Sequence, residues 1–323
     1  MIRGFPVKLA TAAFLAFAPG SAVAQDDYPT RPVRIVVPLA AGGIADIVPR
    51  IVADKLALKW RQPVVIENRP GAGHNIGAEA VAKAPPDGYT LLATPQAPLV
   101  VSQHLSSKLP FDPDAFVPIS TLTTGNIVLI VNANVPASNL RELVAYAKAN
   151  PGKLRYASPG TGSSPHLTGE MLSAAAGIRM IHVPYKGLAP AVNDLLAGHV
   201  DLMFDNLGNS LQHIRSGKLR ALGVASDKRI PQLPDVPAVS ESYLGFVATS
   251  WFAVVAPPRT PSQITRKISA DIAEALRLPD VEKRLRGFTI EPVGNSPEAT
   301  AELISHESAR WRNVITSTGL KAK

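Results

Sequence analysis

No cysteine occurs anywhere in the 323 residues, so a disulfide, a thiol nucleophile and a lipid-modified cysteine are all excluded. Stability must come from the core, and a chain of about 300 residues is long enough to bury a large one. No stretch is apolar enough to span a bilayer. The stretch 9–18, apolar but for Thr11, is half as long as the roughly 20 residues that a transmembrane helix needs. Arg3 and Lys8 precede that stretch and Ala22-Val23-Ala24 follows it, the order of a secretory signal cleaved before Gln25. The expectation is a signal over 1–24 and export of the rest to the periplasm.

Long charge tracts are missing as well. Without Arg3 and Lys8, 31 basic side chains stand against 25 acidic ones, a net +6 spread along the chain. This favours small anions mildly and gives no footprint for nucleic acid, since no basic run is interleaved with aromatics. The phosphate motifs are absent too. No glycine loop ends in Gly-Lys-Ser/Thr, and Gly71-Ala72-Gly73-His74-Asn75-Ile76-Gly77 has one residue too many for a dinucleotide fingerprint. No Gly-x-Ser-x-Gly elbow occurs, and the seven histidines form no His-x-x-x-His pair. No metal, no cofactor and no catalytic group is expected.

What is present is a pair of strand–glycine–helix junctions. In PLAAGGIAD, 38–46, an apolar strand at 33–37 runs through Gly42 and Gly43 into a helical pattern at 44–58. A helix start leaves its first N–H groups unpaired and carries about half a positive charge, so a carboxylate or phosphate fits there. A second copy lies in YASPGTGSSPHLTGEML, 156–172, through Gly160 and Gly162. The two loops are expected to face each other across a cleft. Asp46 reads as the N-cap of the first helix, which places Pro49 in its first turn. Asp46 and Asp205 are both candidates to accept a hydrogen bond from a ligand N–H, O–H or bound water. Lys186 and Arg69 are weaker candidates as counter-ions, and His166 reads as a first-turn histidine bonding loop groups or ligand.

Strand and helix patterns alternate throughout. Strands at 33–37, 64–67 and 90–93 with helices at 44–58 and 76–83 give a βαβαβ unit with a parallel sheet, followed by a Pro-rich connection. A second α/β unit has strands at 127–131, 154–157, 181–183, 202–204 and 221–224, and helices at 140–149, 167–176 and 189–197. Segments 119–124 and 249–255 carry the chain between the units. Thr260-Pro261-Ser262-Gln263 and Ser296-Pro297-Glu298 read as helix starts in the C-terminal part. The division expected is 25–123 plus 251–323 against 124–250.

The blocks PLAAGGIAD, ENRPGAGHNIGAEAVAKAPPDGYTLL, YASPGTGSSPHL, HVPYKG, DLMFDN, KLRALGVASDKRIPQLPDVP and TSWFAVVAP, in this order, resemble the Bug or TctC family of extracytoplasmic solute receptors. The resemblance implies two doubly wound α/β domains with a cleft between them, as in periplasmic binding proteins of type II. It implies a monomer that captures a small carboxylate without turnover and presents it to the permease subunits of a tripartite tricarboxylate transporter. The positions implied are Ala41, Gly42, Gly43 and Asp46 in the first loop, and Gly160, Thr161, Gly162, Ser163 and His166 in the second. Asp205 closes the pocket, and Thr94 and Gln96 line it in a segment where relatives more often carry small residues. Ala41 and Ala45 depart from the family's usual proline and hydroxyl residue. The alternatives are a receptor signalling to a sensor protein and a periplasmic enzyme on the same scaffold.

Overall fold

The computed structural model describes residue 1, residues 28–106 and residues 108–320. The expected signal sequence lies, Met1 apart, outside the described residues. The first part of the chain gives β1 (Val33–Val37), α1 (Ile44–Trp60), β2 (Val64–Asn68), α2 (Asn75–Ala82), β3 (Thr90–Pro95) and the short α3 (Ser102–Leu105). β4 (Val117–Asn132) then leads into α4 (Leu140–Ala149), β5 (Arg155–Ser158), α5 (Ser164–Ala176), β6 (Ile181–Pro184) and α6 (Leu188–Ala197). β7 (Leu202–Asn206), α7 (Leu207–Arg215) and β8 (Leu219–Val224) follow. The chain returns through β9 (Thr249–Ala256) to α8 (Ser262–Leu276), α9 (Pro279–Gly287), β10 (Ile290–Pro292) and α10 (Pro297–Thr318).

The strand order is β2-β1-β3-β9-β4-β7-β5-β6, with β8 and β10 also pairing with β4. The βαβ pattern predicts the parallel sets β2-β1-β3 and β7-β5-β6, and both are parallel. The sheet as a whole is mixed, however, because β9 runs antiparallel to β3 and β4. β4 and β9 are the two crossing segments, and their antiparallel pairing brings the chain back beside the strand on which it left.

Alternation along the strands explains the layers. Val33, Ile35 and Val37 face one apolar cluster with α1 and α8, while Val36 faces another with α2 and α10. Ile127, Leu129 and Val131 face α4 and α5, while Val128 and Ile130 face α6 and α7. Each strand therefore buries both faces, which is why these runs read as near-continuous Val, Ile and Leu.

Several local readings change. Gly43, not Asp46, is the N-cap of α1, so Pro49 lies inside the helix rather than in its first turn. The Pro-rich connection is helical: Ala97–Val101 form a single wide turn leading into α3, because all five are buried and Pro98 sits in the first turn, where no N–H is needed. Thr260 does not cap α8. Its hydroxyl donates to the Pro257 carbonyl at 2.8 Å, and the Pro261 carbonyl receives the first helical N–H groups. Ser296 does cap α10, accepting from the Ala299 N–H at 3.2 Å. α7 went unpredicted, since its buried Leu207 and Leu211 are embedded in a polar run.

The start of α7 presses against the segment before β10 from across the fold. A Cβ placed on Gly208 would lie 2.0 Å from the Phe288 carbonyl oxygen. Gly208→Ala is therefore expected to lower the melting temperature, at a cost of about 1–3 kcal/mol for the displaced backbone, read by calorimetry. An unchanged melting temperature would show that the two segments do not meet.

Candidate functional site

Parallel strands send their following loops to one edge of the sheet, where open α/β sheets bind ligands. The loops after β1, β2 and β3 share that edge. Asn68 donates to the Leu39 carbonyl at 2.9 Å, and the Arg69 N–H donates to Val37 at 2.8 Å. A Cβ on Gly77 would sit 2.8 Å from the Pro38 side chain. Loops 38–43 and 69–74 thus form one packed unit.

Asp46 organises it. Its carboxylate accepts from the Gly42 N–H at 3.0 Å, from Arg50 Nε and Nη2 at 2.9 and 3.0 Å, and from Asn68 Nδ2 at 2.8 Å. Burial pushes this carboxyl up, but the bonds from Arg50, Asn68 and Gly42 outweigh it and hold it below the usual carboxylate range. Four bonds occupy the oxygens, so Asp46 braces the loop and has no acceptor left over. Gly42 takes φ 97°, a left-handed conformation that glycine adopts freely. Ala41, Gly42 and Gly43 are exposed, and a Cβ on either glycine would meet nothing within 4 Å. The N–H groups of Gly43, Ile44 and Ala45 at the helix start have no intrahelical acceptor.

The second junction is built differently. Gly160 and Gly162 have φ 148° and 82°. Ser163 caps α5, accepting from the His166 N–H at 3.4 Å and donating to the Gly160 carbonyl at 2.7 Å. The Gly162 N–H donates to His166 Nδ1 at 3.1 Å, which leaves the ring proton on Nε2. Burial, with His182 alongside, pushes the imidazole down to about 3, so it is neutral. His166 stacks on His182 at 4.0 Å between ring centroids, and His182 stacks on Tyr156 at 4.9 Å. Tyr156 donates to Glu170, and Ser158 Oγ lies 2.7 Å from His182 Nε2 while bonding Gly160. The residues expected in this loop do converge, with Thr161 exposed at its tip. A Cβ on Gly73 would lie 3.6 Å from the Thr161 carbonyl, so the loop after β2 reaches the second junction.

Gln96 and Asp205 are more occupied than their sequence suggests. Gln96 is fully buried; its Nε2 donates to Ser164 Oγ and its Oε1 accepts from the Trp311 indole at 3.3 Å. Thr94 is equally buried and donates to the Pro95 carbonyl. Asp205 has no exposed surface and accepts from the Asn206 N–H at 2.7 Å, Asn209 at 3.0 Å and Ser210, which fastens the start of α7. Burial pushes its carboxyl up to about 6, against those three bonds. Arg69 pairs with Glu67, and Lys186 is exposed. Sequence reasoning missed Asn68, Tyr156, Glu170, His182 and Trp311. Only Arg50 was findable, four residues after Asp46 on one helix face.

Volume alone does not mark this site. A recess of about 480 Å³ lies between α8 and the start of α10 beside Arg266 and Arg277, far along the chain from either glycine junction. A chamber of about 10 Å³ beside Ile44, Thr123, Asn206 and Thr289 is large enough for one water molecule at most. Among the described residues no three His, Asp or Glu side chains converge as a metal site.

The buried histidines make stability pH-dependent. His74, His166 and His182 are held at about 4, 3 and 4, below an ordinary value near 6.5. Between those limits the unfolded chain binds more protons, so they lower stability as pH falls from 6.5 towards 4. Asp205, raised from 3.8 to about 6, works the other way but is one group against three. The melting temperature is expected to fall over that range, and His166→Gln to flatten the slope in a pH-resolved thermal scan.

With this geometry in view, the chain was compared with known proteins. Residues 48–320 match the family model described as tripartite tricarboxylate transporter family receptor. Protein BugT of Bordetella pertussis is 39% identical over 304 residues, covering 93% of each chain. Among solved structures, Rpa4515 of R. palustris with adipate superposes with a TM-score of 0.86 at 34% identity, covering 91% of this chain and 99% of that one. MatC of Rhodopseudomonas palustris with bound malate gives 0.83 at 33% identity, covering 89% and 100%. The fold is that of a periplasmic binding protein, and the chain belongs to the TctC, or Bug, family of solute-binding receptors.

Proposed function

We propose that the protein is a periplasmic receptor that captures a small carboxylate between two domains, 25–123 plus 251–323 and 124–250. The observation that carries this reading is the strand–glycine–helix junction at 41–46, whose Gly43, Ile44 and Ala45 N–H groups have no intrahelical acceptor, with a second such junction at 160–166, where the N–H groups of Gly160, Gly162, Ser163 and His166 are already bonded within the loop and Thr161 stands exposed at the tip. Hydrogen bonds to a charged group are worth about 1.5–3 kcal/mol each. Three or four of them approach the roughly 8 kcal/mol of a micromolar site. The ligands in the two R. palustris structures, adipate and malate, support an acid as the solute. β4 supports the division, since it exchanges its partner β9 for β7 between Asn126 and Ile127.

Release of the ligand without turnover is the reading that the family's receptors support. His166 is fixed by Gly162 and has no hydroxyl nucleophile on its free nitrogen; its Nε2 faces Glu170 at 4.0 Å. The partner proposed is the permease of a tripartite tricarboxylate transporter, from the family description. Ligand recovered unchanged by mass spectrometry is the outcome expected, and a converted product would favour an enzyme.

A thermal-shift screen of a carboxylate library is expected to find an acid that raises the melting temperature. A ligand at 100 times its dissociation constant stabilises by about 2.7 kcal/mol. Gly43→Asp tests the placement. Gly43 has φ −86° and open space around a Cβ, so the variant is expected to fold, while its fixed negative charge abolishes binding. Undiminished affinity in a folded Gly43→Asp protein would move the ligand elsewhere.

A further inference from the structure

The first glycine junction carries a carboxylate of its own. Asp46 lies in the first turn of α1, directly after Gly43, Ile44 and Ala45, whose N–H groups have no intrahelical acceptor. Its bonds hold the carboxyl below the usual range, so it is ionised at neutral pH. A bare negative charge within one helical turn of those donors, about 5.4 Å, would repel an incoming acid. At that spacing the repulsion between two unit charges, taken between its aqueous and its protein-surface limits, changes affinity by about tenfold. The second junction cannot make up the difference, because its Gly160, Gly162, Ser163 and His166 N–H groups are bonded within the loop.

Arg50 stands one turn further along the same helix face, and its fork closes on the carboxylate: Nε donates to Oδ2 at 2.9 Å and Nη2 to Oδ1 at 3.0 Å. Nη2 donates also to Asn68 Oδ1 at 2.8 Å, while Asn68 Nδ2 donates to Asp46 Oδ1 at 2.8 Å and to the Leu39 carbonyl at 2.9 Å. Three guanidinium N–H groups are thus engaged by α1 and β2 together. The carboxylate in turn accepts the Gly42 N–H at 3.0 Å, which ties the glycine loop to the same pair. A bidentate fork fixes orientation as well as charge. Asp54, one turn beyond Arg50, is a further charge acting on the guanidinium. We infer that Arg50 is a positioning residue of the acid site: without touching the ligand, it cancels the Asp46 charge beside the Gly43, Ile44 and Ala45 donors and, through Asn68, fixes the loop on which they stand. This rests on the receptor reading above and adds to it a residue that acts only through another.

The test is calorimetric titration of the full mature chain with the carboxylate library of the thermal-shift screen, adipate and malate first, at low and at high salt. The Arg50 side chain is 44% exposed, so its variants are expected to fold, and a melting curve checks this. At low salt Arg50→Gln is expected to weaken binding by about tenfold. That deficit, measured against wild type, is expected to shrink as salt screens the uncovered charge. Arg50→Lys keeps the charge and loses the fork, so its affinity is expected within about threefold of wild type. The double variant Arg50→Gln/Asp46→Asn removes both charges and leaves an amide oxygen for the Gly42 N–H. It is expected to recover wild-type affinity, again within about threefold. A residue that merely braced the helix start, or that touched the ligand itself, would give a double variant no better than Arg50→Gln, and that outcome overturns the assignment. Wild-type affinity in folded Arg50→Gln overturns it too, as does a deficit that salt leaves unchanged. A wild type that binds no acid of the library overturns the receptor reading itself, a result distinct from these.

Discussion

β4 is the element on which both halves of the fold depend. Up to Asn126 its backbone bonds go to β9 and β10, and from Ile127 onward they go to β7 and β8. A slip of one residue would turn every side chain to the wrong face, and β4 is buried on both faces, with Ile119 and Leu122 on one side of the changeover and Ile127 and Leu129 on the other. The register of each half is thereby locked to that of the other. The changeover falls in Thr-Thr-Gly-Asn, 123–126, the least apolar part of the strand. A redirected strand there gives up little apolar burial, and Gly125 leaves room for Ser250, whose Oγ would come within 3.1 Å of a Cβ.

The aspartates at the starts of α1 and α7 are handled in opposite ways. Asp46 stays charged, but Arg50 neutralises it and four donors saturate it. What the loop presents outward is then backbone N–H rather than carboxylate. Asp205 has no cation on it; full burial raises its carboxyl to about 6, and it lies at the start of α7, where the helix dipole favours negative charge. Each aspartate shapes a helix start. The resemblance names both positions for the ligand, but a position on a loop and an atom that touches ligand are different things.

That difference also separates what was legible in the sequence from what was not. Strands β1 to β9 and most helices follow from periodicity, because residues such as Val33, Ile35 and Val36 declare their faces by alternation. The crossing segments were readable because βαβ units interrupt themselves there. Caps were misread where two polar or turn-forming residues compete within three positions: Gly43 against Asp46, and Pro261 against Thr260. Within a turn the winner is set by where the side chain finds a tertiary partner, as Asp46 finds Asn68 at a separation of 22 residues. The stack of Tyr156, His182 and His166 was invisible for the same reason: it joins β5, β6 and α5, and no local pattern links them.

The Gln96 bridge between the halves is made of neutral groups. Gln96 holds Ser164, the residue after the cap of the second junction, while its other end takes the Trp311 indole of α10. Arg310, one residue earlier, reaches the Val247 carbonyl just before β9. Leu167 of α5 is buried in the same apolar cluster as Trp311 and the helical turn at 97–101. Any separation of α5 from the first sheet must break the Gln96–Ser164 bond and expose that leucine. A neutral hydrogen bond contributes only about 0.5–1.5 kcal/mol, whereas bonds to a charged ligand contribute about 1.5–3 kcal/mol each. On the receptor reading proposed above, a carboxylate bound by both junctions would outweigh the Gln96–Ser164 bond. A salt bridge in the place of Gln96 would leave the balance subject to its own desolvation and, for a cation, would compete for the same anion. The buried amide avoids both.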